Sequence, residues 1–169
     1  MTIDEYNEYL SLFPENLQCA LENCSNAKQQ FMESTYISFK EIKVYRAIMR
    51  PDKLTEEDFL SYPTMKKWTE KDIKKRCEKN ILRIESFGIS VNTSKEEMIK
   101  SLDFPSERLK GIAEGIMTPK YGTADFKQKD THHNWYLFQD QITNVQHSFS
   151  IVEDENEQQV VFKKCRRNM

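Results

Sequence analysis

Phe87-Gly88-Ile89-Ser90-Val91-Asn92-Thr93-Ser94-Lys95-Glu96-Glu97 is the stretch that divides the chain into its layers. Ile89 and Val91 alternate with Ser90 and Asn92, the period of a strand with one buried face, and the strand pattern reaches back to Ile81. Ser94 with Glu97 three residues later has the form of a capping box, which predicts a helix running to about Leu102. Strand gives way to helix here without a linker.

Outward toward the N-terminus, Thr69 to Lys79 reads as a basic amphipathic helix facing inward through Trp68, Ile73 and Cys77. Thr55-Glu56-Glu57-Asp58 opens a shorter helix that Tyr62-Pro63 interrupts, and Phe39 to Met49, closed by Arg50-Pro51-Asp52, reads as the first strand. Before it the chain is helical. Thr2 and Glu5 have capping-box spacing, and Ile3, Tyr6, Leu10 and Phe13 recur at helical intervals. Pro14 suits the first turn of a second helix that carries Leu17, Leu21, Cys24 and Phe31 to Tyr36.

Toward the C-terminus, Leu109 to Met117 is a strand candidate, followed by the turn Thr118-Pro119-Lys120-Tyr121-Gly122 and a polar loop from Thr123 to Asp130. Trp135 to Phe138, Phe149 to Val152 and Val160 to Lys164 read as short strands. Helices first and strands afterwards, with few alternating βα units, predict the α+β class. The expected architecture is N-terminal helices packed on a mixed or mainly antiparallel sheet of about five to six strands, an ordinary sheet size. The 169 residues suit a single domain over 1–169, with 1–37 as the helical layer and 38–165 as the sheet-containing core.

Composition removes several classes. No run approaches the ~20 apolar residues of a spanning helix, and Met1-Thr2-Ile3-Asp4 lacks the basic and apolar regions of a secretory signal, so no membrane and a cytoplasmic location are expected. Cys19, Cys24, Cys77 and Cys165 show no CxxC spacing and read as reduced, buried small hydrophobes. Eight basic residues fall between Lys66 and Arg83, yet the sequence pI near 6.0 argues against a nucleic-acid binder and for a solvated helix face. The phosphate-loop, dinucleotide and nucleophile-elbow glycine patterns are all missing.

The chemistry-bearing cluster is Thr131-His132-His133-Asn134-Trp135-Tyr136-Leu137-Phe138, with two of the three histidines. Histidine titrates near neutral pH and moves protons, while Trp135 and Tyr136 offer flat surfaces for a ligand to stack on. Adjacent strand residues point to opposite faces, so His132 and His133 make a poor chelate and no metal is expected. Asp140 is the nearest acid after the cluster. Arg46 lies in Lys43-Val44-Tyr45-Arg46-Ala47-Ile48, apolar at alternate positions; facing inward it must be paired or hold a ligand anion, and facing outward it is an ordinary edge residue. Ser90 and Thr93 are hydroxyls able to contact a ribose or phosphate, whereas Ser94 is accounted for as a cap.

The order of these pieces resembles the ADP-ribosyltransferase fold. Tyr45-Arg46 matches its first strand, which carries an arginine or histidine that grips NAD; Phe87 to Ser94 matches the second, serine-bearing element; and His133 to Phe138 matches the later strand that carries a glutamate. The likeness covers roughly 43–152. It implies NAD or a related nucleotide as ligand, bound through Tyr45, Arg46, Ser90 and Thr93 with Trp135 or Tyr136 as a wall, and transfer of ADP-ribose as the activity. The expected glutamate is absent, which leaves His132, His133 or Asp140 for the catalytic role. The rival expectation is a non-catalytic inhibitor or adaptor that meets a protein partner through the basic helix 66–79 and exposed aromatics.

Overall fold

Local hydrogen bonding starts three of the helical elements. Thr2, Thr55 and Thr69 each accept at the side chain from the backbone three residues on, and Glu5, Asp58 and Asp72 return a bond to the cap residue. Reciprocal bonds of this kind satisfy amide groups that a helix start would otherwise leave open. The computed structural model describes residues 1–101, 111–126 and 130–152. The Val160 to Lys164 strand candidate and Cys165 lie outside the described residues.

The N-terminal helices are α1 (Ile3–Tyr9), α2 (Glu15–Asn23) and α3 (Ser25–Ser34), with a 3-10 turn Leu10–Leu12 after the first. The single helix expected from Pro14 to Tyr36 is broken at Cys24, whose extended backbone separates α2 from α3. The break swings Ala27 and Phe31 into the same cluster as Leu17, Ala20 and Leu21. The fold class is α+β, as the order of the patterns predicts.

Strands β1 (Thr35–Tyr36), β2 (Ile42–Ile48), β3 (Ile89–Asn92), β4 (Gly111–Met117), β5 (Gly122–Asp125), β6 (His132–Leu137) and β7 (Ser150–Ile151) form one antiparallel sheet in the order β1-β5-β6-β3-β2-β4-β7. Between β2 and β3 run the 3-10 turn Glu56–Phe59, α4 (Tyr62–Met65) and α5 (Glu70–Glu78). Helix α6 (Lys95–Ser101) follows β3, and α7 (Ile142–Ser148) joins β6 to β7.

The seven strands exceed the five or six expected because two segments were hidden. The end of the turn and the start of the polar loop expected from Thr123 to Asp130 form β5, whose four residues are all buried. Its Gly122 brings the two backbones together: a Cβ there would fall 2.2 Å from the Tyr136 carbonyl oxygen. Thr35 and Tyr36 leave the helix and pair with Asp125 and Ala124 as β1. Conversely, the strand expected from Ile81 shortens to Ile89–Asn92, because Ile84 and Phe87, three apart, turn together onto the helical cluster through a 3-10 turn.

Two cores result. One face of β6 puts Tyr136 against Phe31, with ring centroids 4.9 Å apart, and joins the N-terminal helices. The other face packs Val44, Ile48, Val91, Trp135 and Leu137 against Phe59, Val145 and Phe149. A smaller cluster of Met98 and Ile112, with Tyr45 and Ala47, seats α6 on the sheet. Cys24 and Cys77, 53 residues apart, form a disulfide between the α2/α3 junction and α5, which corrects the expectation of reduced thiols. Helix packing created that proximity, and sequence spacing carries no trace of it.

Candidate functional site

Strands β2 and β3 share one registered pair, Tyr45 with Asn92, and part beyond it. Val91 and Ser90 keep their pairing with His133 and Asn134 on β6, so the opening lies on the β2 side of β3. The main-chain groups of β3 that face the opening need other partners. Arg46 supplies one: its Nη1 donates to the Ser90 carbonyl at 2.7 Å, and its Nε donates to the Asp58 carbonyl.

Asp58 is the support behind this arrangement. It is buried, and its carboxylate accepts from the Met49 amide at 2.8 Å, the Thr55 amide at 2.8 Å and the Thr55 hydroxyl at 3.1 Å. These bonds fix the 3-10 turn Glu56–Phe59 against the end of β2. Burial lowers the Arg46 guanidinium to about 10, partly countered by the negative charge of Asp58. The group therefore stays charged at neutral pH. Its direct acceptors are neutral carbonyls, so its charge is not cancelled by contact with a carboxylate.

On the opposite face of β3, the Ser90 hydroxyl lies 3.2 Å from His132 Nε2. His132 is itself held by its backbone amide, which donates to Asp130 Oδ1 at 3.0 Å. Arg46, Ser90 and His132 are thus linked on three neighbouring strands, with Ser90 as the joint: its carbonyl serves Arg46 and its hydroxyl serves His132. By the strand alternation Arg46 approaches from the face of Val44 and Ile48, whereas His132 belongs to the other face.

The remaining candidates separate. His133 points away from His132; it is buried, with Nδ1 2.9 Å from the Asp125 carbonyl oxygen and its ring against Phe126. Thr93 binds the Thr131 carbonyl through its amide at 2.8 Å and its hydroxyl at 3.3 Å, clasping two loops. Tyr45 packs in the α6 cluster. Trp135 and Tyr136 are both 0% exposed, one in each core, so neither is a surface on which a ligand can stack. Burial, together with the charges of Asp125 and Glu85, also pushes the Tyr136 hydroxyl well above its ordinary value. Asp140 lies past the far end of β6, five residues from the His132 end at Leu137, or roughly 16 Å at the rise of an antiparallel strand. It lines a groove with Pro14 and Trp68 that meets the cavity beside Arg46 at Thr64 and Lys67.

Two residues outside the expected set matter. Asp125 is a buried acid beside β6, but its carboxylate is taken up by the Asn134 amide at 2.8 Å and side chain at 2.7 Å. Tyr62 is 50% exposed and lines a cavity of about 530 Å³ together with Arg46, Asp58, Met65, Lys66 and Lys67. Its neighbour Pro63 marked the segment as a helix interruption, and nothing in that pattern tied it to Arg46. No family model, curated protein or solved structure matches this chain.

Proposed function

We propose that this chain binds NAD or a related nucleotide in the Arg46 cavity, between the end of β2, the turn Glu56–Phe59 and α4, in an ADP-ribosyltransferase-like pocket. The observation that carries the reading is the Arg46 guanidinium, which lines a cavity of about 530 Å³ and whose direct acceptors are two neutral carbonyls. The arginine strand, the serine segment and the later strand that the resemblance calls for are neighbours in the sheet, with histidines in the later strand and no glutamate. Arg46 grips an anionic group through the N–H donors that Asp58 and Ser90 do not use. Tyr62 provides the aromatic wall assigned by the sequence to Trp135 or Tyr136.

Binding is the core of the proposal, because His132 lies across the sheet from Arg46 and does not line the cavity. Transfer of ADP-ribose in the manner of the resemblance calls for a carboxylate near the ribose. Asp125 is spent on Asn134, Asp140 lies past the far end of β6 and His132 is on the other face of the sheet, so the proposal is of binding without turnover.

Thermal denaturation with NAD, ADP-ribose and AMP at millimolar concentration tests binding, since a ligand held only by the folded chain raises the melting temperature. A rise of several degrees with NAD or ADP-ribose, reduced in Arg46→Lys, is expected; Arg46→Lys keeps the charge but loses the planar fork. Absence of any shift overturns the reading. The interaction-module alternative then gains, with Lys66, Lys67, Lys71, Lys75 and Lys79 exposed along 66–79, while Lys74, exposed as well, pairs with Glu70 and Arg76 covers the Trp68 ring.

A further inference from the structure

The Arg46 cavity holds more positive charge than its surroundings use. Arg46, Lys66 and Lys67 line it, and Glu57 and Asp58 are its acids. Asp58 has both carboxylate oxygens occupied by Met49 and Thr55. None of the three cations makes an ion pair among the described residues. Lys66 instead lies over the Tyr62 ring, its Nζ 5.7 Å from the centroid. Three cations thus share the cavity with two carboxylates, Glu57 and the hydrogen-bonded Asp58, which leaves one positive charge in excess.

Lys67 stands out by its backbone. Its φ is 52°, in the left-handed region. Helix α4 closes there with the Lys67 amide on the Thr64 carbonyl at 3.1 Å and the Trp68 amide on the Pro63 carbonyl at 2.9 Å. This is a Schellman closure, and its left-handed residue is ordinarily glycine, because a side chain costs roughly 1 kcal/mol in that conformation. Helix α5 closes in the same way, with Asn80 on Cys77 at 2.9 Å, Ile81 on Arg76 at 3.0 Å, and Asn80 at a φ of 53°. Asparagine is the residue that tolerates this region best after glycine. Backbone geometry accounts for Asn80 and gives no reason for lysine at 67.

A long cation kept where the backbone disfavours it, on the wall of a cavity that also holds a guanidinium without a carboxylate partner, has its use in the side chain. We propose that Lys67 is a second phosphate anchor: Arg46 holds one phosphoryl group by its remaining N–H donors, and Lys67 holds the adjoining one as a point charge. The ligand class is then a nucleoside diphosphate or a derivative of one, rather than a nucleoside or a monophosphate. The inference deepens the nucleotide reading and rests on it for the organic part of the ligand, but the phosphate contacts stand on the cavity alone.

Calorimetric titration of inorganic pyrophosphate, ADP-ribose, AMP and adenosine into the wild-type chain and Lys67→Gly tests it, with melting temperatures of both unliganded proteins. Pyrophosphate and ADP-ribose are expected to bind, with AMP weaker and adenosine silent. Lys67→Gly should weaken both by about tenfold or more, the scale of one charge-assisted contact, without a lower melting temperature, since glycine relieves the left-handed cost. Should that variant melt lower, Lys67→Asn, the residue α5 uses at the same place, serves under the same criterion. Equal affinity in wild type and variant overturns the role of Lys67 while leaving the nucleotide reading intact. Pyrophosphate binding that depends on Lys67, with no response to ADP-ribose or NAD, keeps the anchor and removes the nucleotide reading. No binding of pyrophosphate or of any nucleotide removes both.

Discussion

At the scale of the residue, Asp58 controls more of the candidate site than any group that faces a ligand. Its carboxylate takes three bonds from Met49 and Thr55, and its carbonyl takes the Arg46 Nε. Asp58→Ala would strand two backbone amides in a buried place, and the expected loss is about 3 kcal/mol, read by urea denaturation. The same variant should weaken anion binding, since the turn that orients Arg46 would no longer be fixed. The inward arginine was legible in the sequence as one of two alternatives, a paired or ligand-holding group against an edge residue. Its resolution is a third arrangement, two neutral carbonyls, which follows from the parting of β2 and β3 and from nothing adjacent to Arg46 in the chain. Trp135 and Tyr136 show the converse. Their chemistry suggested a surface, but both faces of β6 are covered, so the flat rings are spent on the core.

At the scale of the element, helix α5 is held at its start by the Thr69 and Asp72 box. The Thr69 amide donates to Asp72 Oδ2 at 2.9 Å and the Thr69 hydroxyl at 2.7 Å, which holds the Asp72 carboxyl below its ordinary value of 3.8. An acid with a lowered folded value stabilises above its unfolded value and loses that contribution as pH falls through the folded one. Protection of the amides across Glu70 to Glu78, taken relative to their intrinsic exchange, should therefore fall as pH drops below the ordinary aspartate range, and Asp72→Asn should flatten that response. Strand β5 is constrained differently. Gly122→Ala would set a Cβ 2.2 Å from the Tyr136 carbonyl oxygen and 2.9 Å from Leu137 Cα, wedging β5 from β6. Calorimetric melting should report a loss of about 2–3 kcal/mol, the usual cost of overpacking. Caps were readable because a cap and its partner are three residues apart. Strand β5 was not, since Thr123 and Asp125 are polar and only the pairing with β1 and β6 buries them.

At the scale of the whole molecule, the helical layer and the sheet are one cooperative body where Phe31 meets Phe13 at 5.6 Å and Tyr136 at 4.9 Å. Phe31→Ala should cost about 3–5 kcal/mol in a denaturant titration and lower both helical and aromatic signals in a single transition. Removal of 1–37 would bare Phe87, Tyr136 and Phe138, and the remaining chain is expected to aggregate, seen by light scattering. The sequence by itself determined the class, α+β, the N-terminal helical layer, the capped helix starts and the separate candidacies of Arg46, Ser90 and His132. These rest on periodicity, capping and residue chemistry, which act over a few residues. Only the tertiary structure decided the seven-stranded order, the opening between β2 and β3, the bonds of Arg46 and His132 to opposite sides of Ser90, and the arrival of Tyr62, Lys66 and Lys67 beside Arg46. Strand register and the packing of distant segments fix which side chains share a space, and those are properties of the assembled sheet rather than of any stretch of the chain.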